Sequence, residues 1–408
     1  MAVYQINVGV CLHQWSGFHF GISNGLASYI QGKESWNIFM AMPPEGGLES
    51  SLAEWTGDGL ICSIDSPADA AFVKSLEIPV VNVTGKLAIE GISAVIGDDD
   101  LVGGLAARHF LERGFRSFAC LGMQDADFAF RREASFGAEV IRNGGFLGHR
   151  LEARSLFPML WKDRLQALRD WLHGMPKPVA VFAVFDTLAH LAIAACHSAD
   201  LNVPADVAVI GVDNDPSLCQ LSNPPISSIG LCLERRGYVA AQLLDRLIAG
   251  EPPPTGPLRI PPDNIIARGS TDVYAVPDPG LRKALQFIAR QTSASLSVED
   301  VAGAARMSRR SLERKMREAL GCTVYEEIRR RRLALAKEKL RTGRQSLTEV
   351  ALDSGFNNSS DFSKIFRKWE GMTPGDYRRR YGVTRWGECG GGSAGSVAGG
   401  CGEVEDLP

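Results

Sequence analysis

No two cysteines in the sequence form a Cys-x-x-Cys pair. The nine, at positions 11, 62, 120, 196, 219, 232, 322, 389 and 401, are scattered and do not cluster with the seven histidines. That spacing argues against both a structural zinc site and a disulfide framework. Most of the first six sit in apolar runs, where a buried thiol behaves as a small hydrophobe. Long apolar runs are missing too, since no segment offers the ~18 uncharged apolar residues of a membrane span. The opening residues, MAVYQINVGVC, lack the basic start, apolar run and small-residue cleavage site of a secretory signal. A cytoplasmic protein with no membrane partner is the expectation. Also absent are a phosphate-binding loop and a glycine fingerprint leading from a strand into a helix, so no cofactor is expected.

What is present is a chain of 408 residues, 45% hydrophobic and 22% charged, long enough for two or three domains that each bury a core. Its net charge of -3 conceals an asymmetry. Residues 1–277 carry 20 Lys and Arg against 30 Asp and Glu, whereas residues 278–383 carry 23 against 13. A compact basic region on an acidic body points to a polyanionic partner.

Residues 1–275 read as short apolar strands alternating with amphipathic helices. Strand candidates are 6–11, 36–42, 59–64, 79–83, 94–96, 118–122, 179–184 and 207–212, with a last extended segment at 258–267. Helix-length stretches at 21–31, 101–113, 164–173, 187–199 and 236–249 lie between most of them. Strands rich in Val, Ile and Ala on both faces, separated by helices, predict parallel sheets in α/β layers. That much chain exceeds one core, so two α/β lobes are expected, with ligands bound where strand ends converge. The run Val276-Pro-Asp-Pro-Gly280 stops any regular element and predicts a separable joint. Residues 279–383 are then an all-α domain, and the Gly-rich residues 384–408 are expected to be disordered.

The all-α part contains one pattern twice. Ser297-Val-Glu-Asp300 is a capping sequence that opens a short helix ending near Met307; Ser308 then caps a second helix, 309–320, stopped by Gly321. Val301, Ala305, Leu312, Met316 and Leu320 fall at helical spacing and close a small core, leaving Arg309, Arg310, Glu313, Arg314 and Arg317 outside it. About fifty residues on, Ser346-Leu-Thr-Glu349 opens a second such unit, whose second helix, 359–369, turns Phe362, Ile365, Phe366 and Trp369 inward. A long helix bearing Arg329 to Arg332 joins the two. This is a tandem helix-turn-helix.

The run ALDSGFNNSSDFSKIFRKWEGMTPGDYR at 351–378 resembles the signature of the AraC family of transcription regulators. The resemblance covers about a hundred residues and implies double-stranded operator DNA as partner, each unit laying its second helix in a major groove. Carried over by position, it implies Arg310, Glu313 and Arg314, with Arg309 beside them, as readers in the first unit. In the second unit it implies Ser359, Ser360, Ser363 and Lys364. Arginine can hold guanine bidentately, whereas serines offer single bonds, so weaker base reading is expected from the second unit.

Three runs of the body, DDDLVGGLAARHFLERG at 98–114, REASFGAEV at 132–140 and VAVIGVDND at 207–215, resemble the periplasmic-binding-protein-like effector domain of LacI/GalR-type regulators. Such a body joined to an AraC-type tail is similar to the D-xylose-operon regulators. The resemblance implies a small-molecule effector, a monosaccharide such as D-xylose, activation of sugar catabolic genes with RNA polymerase as a further partner, and a homodimer. A polyol is held by carboxylates and arginine that take paired hydroxyls, with an aromatic ring on its apolar face. The candidates are Arg132, Asp186 and Asp213 for the hydroxyls, and Trp15 or Phe18 for the ring. Asp98, Asp99 and Asp100 read as a helix cap. Two other readings stand beside this one. The same architecture could answer to a non-sugar ligand, or an enzyme could be fused to a DNA-binding module.

Overall fold

The computed structural model describes residues 5–12, 17–31, 33, 35–41, 47–292, 296–342 and 345–381. The Gly-rich tail, expected to be disordered, lies outside the described residues.

The first lobe is built from β1 (Ile6–Cys11), α1 (Gly17–Ile30), β2 (Trp36–Ala41), α2 (Gly47–Ser51), β3 (Gly59–Cys62), α3 (Pro67–Ser75), β4 (Val80–Asn82) and β5 (Ser93–Gly97). The chain then crosses to a second lobe: α4 (Asp99–Leu111), β6 (Ser117–Gly122), α5 (Asp127–Arg142), β7 (Phe146–Glu152), α6 (Trp161–His173), β8 (Val179–Ala183), α7 (Asp186–Ser198), β9 (Val207–Asp213), α8 (Pro216–Leu221) and β10 (Ser227–Gly230). It returns through α9 (Leu233–Ile248) and β11 (Leu258–Ile260) to the first lobe, and crosses once more to β12 (Ile265–Ile266). The two sheets run β11-β5-β4-β3-β1-β2 and β12-β10-β9-β8-β6-β7. Every pairing is parallel except β10 with β12.

The segment expected as one strand at 258–267 is therefore two strands on two sheets. Pro261 and Pro262 interrupt it at the lobe boundary, since proline cannot donate to a ladder. At the crossings, Ile260 O accepts from Asp98 N at 2.9 Å and Gly230 O from Asp263 N at 2.7 Å, so the three strands between the lobes are tied together. Two further strands escaped the reading. β7 is an edge strand whose alternating exposure and central Gly148 hide its period, and β10 is only four residues long. Helix α9 lies against α1 so closely that a Cβ on Gly25 would strike the Glu234 carbonyl, and one on Gly237 the Ile22 carbonyl. That approach draws the first turns of α9 into the cleft between the lobes.

The all-α part comprises α10 (Pro279–Arg290), α11 (Val298–Ala305), α12 (Arg309–Leu320), α13 (Val324–Thr342), α14 (Leu347–Asp353), α15 (Ser359–Glu370) and α16 (Pro374–Tyr381). Both capping boxes form, Ser297 with Asp300 and Ser346 with Glu349. Ser308 caps α12, and Gly321 ends it with φ 69°. One core gathers Leu285, Val301, Leu312, Met316 and Ile328, the other Leu333, Val350, Phe362, Phe366 and Tyr377. Trp369 departs from expectation. It remains 41% exposed at the end of α15, one turn beyond where the small second core closes.

The joint is also tighter than its prolines suggest. Tyr274 and Val276 are buried in the first core, and Ala275 N donates to Arg113 O at 2.8 Å, so the linker is the first layer of the DNA-binding domain. Among the described residues no helix is long and apolar enough to cross a membrane.

Candidate effector cleft and DNA-binding surface

In the second lobe, α5 aims Arg132 along the carboxyl ends of the strands. Its Nε donates to Asp99 Oδ1 at 2.7 Å and its Nη1 to the carbonyl of Val184, just past β8, at 2.7 Å. Asp213, at the end of β9, stands 3.9 Å from Nη1. The guanidinium lies 4.8 Å from the centroid of the Phe128 ring, a cation–π contact that also shields it from water. Arg132 and Asp99 are each 4% exposed at the side chain, whereas Asp213 keeps 31% open toward the cleft. Two of the expected residues, Arg132 and Asp213, are thus brought together.

Asp186 is close by but differently engaged. Its Oδ1 accepts from Ser228 Oγ at 2.6 Å, and its Oδ2 accepts from Asp215 N at 2.8 Å and the Cys219 thiol at 3.3 Å. With both oxygens taken and 1% exposure, it sits behind Asp213 as the support of its loop and not on the cleft surface. The loop needs that support. Asp213 and Asn214 hold φ values of 101° and 54°, in the left-handed region that non-glycine residues occupy only when neighbours enforce it. Burial pushes the Asp213 carboxyl up to about 7, against the attraction of Arg132. Burial likewise raises Asp186 to about 6, against its hydrogen bonds.

Phe18 faces the cleft from the first turn of α1, its ring centroid 5.3 Å from the guanidinium carbon of Arg236. Trp15 lies outside the described residues. Sequence reasoning missed three cleft residues. Asp98 does cap α4, accepting from Leu101 N at 3.3 Å, but its neighbour Asp99 turns inward to Arg132. Phe128 lies on α5, a helix absent from the expected stretches, and Arg236 opens the stretch 236–249 expected as an ordinary amphipathic helix. The signal for Arg236 was present in Gly237 beside it, since a glycine inside a helix often marks close packing.

On the DNA-binding domain the expected readers lie on the second helix of each unit. Arg310 is exposed; Arg309 pairs with Glu299 at 2.5 Å, and Arg314 with Glu318 at 2.8 Å. These exposed pairs contribute little and are readily exchanged for phosphate or base contacts. Glu313 is less open than expected, half-buried with Oε2 enclosed and meeting no donor among the described residues. In α15, Ser360 and Lys364 are exposed and Ser359 half-buried, while Ser363 donates its hydroxyl to Ser359 O at 2.8 Å, which leaves it mainly an acceptor.

Residues 107–271 match the periplasmic binding protein-like domain family, and residues 301–380 a helix-turn-helix domain family. The xylose operon regulatory protein of Escherichia coli K12 is 27% identical over 365 residues, spanning 88% of this chain and 93% of that protein. The chain is a transcription regulator that joins a periplasmic-binding-protein-like domain to an AraC-type helix-turn-helix domain. An AraC-like transcription regulator of Streptomyces antibioticus is 34% identical over 102 residues, covering 25% of the regulator and 34% of that protein. The solved structure of the xylose-binding transcription activator xylR superposes with a TM-score of 0.61 at 25% identity, covering 94% of the regulator and all of that chain (100%).

One helix of the regulator touches both functional regions. At its start α4 carries Asp99 of the cleft; at its end His109 Nε2 meets Thr271 Oγ1 at 2.8 Å, and Arg113 Nε donates to Thr271 O at 3.1 Å. Three residues on, Tyr274 donates its hydroxyl to Glu327 Oε1 of α13 at 2.8 Å and accepts from Arg331 Nε at 2.9 Å. Glu327 also pairs with Arg330 Nη1 at 2.8 Å and Arg331 Nε at 3.2 Å, and Arg330 reaches back to Glu112 at 3.9 Å. Burial drives His109 well below its ordinary range, and the positive charges of Arg113 and Arg331 add to that, so it stays neutral. Within the run Arg329 to Arg332 of α13, Arg330 and Arg331 are thus engaged with the body of the regulator and Glu327.

Proposed function

We propose that the regulator binds operator DNA in response to a monosaccharide, D-xylose in the first instance, and activates sugar catabolic genes. The observation that carries this reading is the Asp99–Arg132–Asp213 cluster at the strand ends. It offers a fixed guanidinium and a partly open carboxylate side by side, the combination that takes adjacent hydroxyls. The names of two relatives, a xylose operon regulatory protein and a xylose-binding transcription activator, point the same way. Arg132 and Asp213 contact the sugar, Asp186 holds the Asp213 loop, and Phe18, with Trp15, covers the apolar face of the ring. Arg309, Arg310, Glu313 and Arg314 read the first half-site, and Ser359, Ser360, Ser363 and Lys364 position the second. The regulator works in the cytoplasm as a homodimer, with RNA polymerase as its further partner.

The test is a thermal-shift screen of pentoses and hexoses on the full chain. A ligand that binds only the folded state raises the melting temperature by mass action, by about 2.7 kcal/mol of stability at a hundredfold excess over Kd. Asp213→Ala is expected to abolish the shift and leave the apo protein folded. A screen in which no aldose shifts the wild type would sink the sugar assignment.

A further inference from the structure

Arg236 is buried to 3% exposure on α9, yet few of its donors are filled. Among the described residues its hydrogen bond runs from Nη1 to Val83 O at 3.4 Å, and Nε meets no acceptor. The side chain is held in place nonetheless. Phe18 lies against the guanidinium, and Gly97 clears room beneath it, since a Cβ there would strike Nη2. Val83 and Gly97 follow or end β4 and β5, so the group sits at the carboxyl ends of the first-lobe strands. Asp213 and Arg132 occupy the same ends in the second lobe. A buried guanidinium with unfilled donors is costly, and a fork fixed with donors to spare is preorganised for oxygen atoms that arrive with a ligand.

The charge balance decides what kind of ligand. Arg132 lies against Asp99 and Asp213, the same two carboxyl groups also act on Arg236, and Asp186 stands behind the Asp213 loop, so the carboxyl groups of the cleft at least match its guanidinium groups. A neutral polyol leaves that balance intact: its hydroxyl oxygens accept from Arg236 and its hydroxyl protons go to Asp213. An acid sugar would place a third negative charge beside Asp99 and Asp213. Resting on the effector reading above, we infer that Arg236 is a specificity-determining effector contact. It joins Asp213 across the cleft through one neutral polyol, so that the ligand ties the lobes together and acidic sugars are turned away.

Isothermal titration and thermal melting of the full chain test this with D-xylose, L-arabinose and D-xylonate as probes, on wild type, Arg236→Met and Arg236→Lys. At least one neutral sugar is expected to bind wild type, with D-xylonate at least tenfold weaker. Arg236→Met is expected to weaken the neutral sugar at least tenfold while its apo melting temperature stays level or rises, because a buried guanidinium with unfilled donors has been removed. Arg236→Lys keeps the charge without the fork and falls in between. The inference is overturned if Arg236→Met binds the sugar as wild type does, if D-xylonate binds more tightly than the neutral sugars, or if the apo Arg236→Met protein melts well below wild type, which would make Arg236 a structural support. If no probe binds wild type, the effector reading itself fails and this inference falls with it.

Discussion

Replacing Glu327 by alanine removes the one carboxylate that Tyr274, Arg330 and Arg331 share at the seam between body and DNA-binding domain. The side chain of Glu327 is 2% exposed, and its two arginine partners keep 25% and 20%, so the cluster is largely but not wholly dry. Breaking a buried pair by deleting one partner costs about 3–5 kcal/mol, and the residual exposure of the arginines places the expected loss near the lower end, about 3 kcal/mol. Glu327→Gln keeps an acceptor for Tyr274 and gives up the charge, for about 1.5 kcal/mol. Tyr274→Phe removes one hydrogen bond to a charged group, also about 1.5 kcal/mol. Because the residues share one network, Tyr274→Phe and Glu327→Gln together are expected to fall short of additivity by at least about 0.5 kcal/mol. A chain with several domains does not unfold in one step, so the losses are read by native-state hydrogen exchange of the amides of α10 to α13. A Glu327→Ala protein within 1 kcal/mol of wild type there, or strict additivity of the pair, would refute the claim that this seam is a cooperative buried network.

Three further outcomes follow from named residues. Asp213 is held at about 7 and Asp186 at about 6, above the unfolded values, so the folded state binds these protons more tightly; stability from them is present at low pH and is lost as pH rises from about 4 toward 7. Without sugar, Asp213→Asn should therefore match wild type at pH 4 and gain on it steadily toward pH 8 in urea midpoints, and an opposite trend would contradict the assignment. Arg310→Ala and Arg314→Ala should each cost roughly 1–3 kcal/mol in operator affinity and relax particular base positions, whereas Lys364→Ala should weaken all sequences alike and lower the salt slope by about one; binding-site selection with each variant separates these outcomes. A fragment beginning at residue 272 should bind operator, while one beginning at 279 loses Tyr274 and Val276 from its core and at least about 2 kcal/mol of stability, and equal melting temperatures for the two would disprove that packing.

The parts that could be read from the sequence are those where one local rule dominates. Capping boxes, the stop at Gly321 and the spacing of Leu312 and Met316 fixed α11 and α12 almost to the residue, because helix ends are set by nearby atoms. The parallel strands were visible for the same reason: a strand buried on both faces is a run of Val, Ile and Ala. What could not be seen arises from long-range contact. Asp99 and Arg132 are 33 residues apart and Arg236 about a further hundred away; apart from Gly237 beside it, nothing local distinguishes Arg236 from a surface arginine. Asp186 shows the converse error. A carboxylate at a strand end has the right address for a ligand, but its partners Ser228 and Cys219 come from segments that sequence order does not place beside it. The joint at Val276 was misjudged because prolines report where regular structure stops and not whether the segment is packed.

The central claim is that sugar binding in the cleft governs operator binding by α12 and α15. It is tested most directly by fluorescence anisotropy of the full chain on a duplex that the protein itself selects from a random pool, titrated with and without saturating D-xylose. The account predicts nanomolar-range, salt-sensitive binding whose affinity changes at least fivefold with sugar, with the change absent in Asp213→Ala although that protein still binds DNA. Binding that is indifferent to D-xylose and to every other aldose, or no specific binding at low salt, would contradict it.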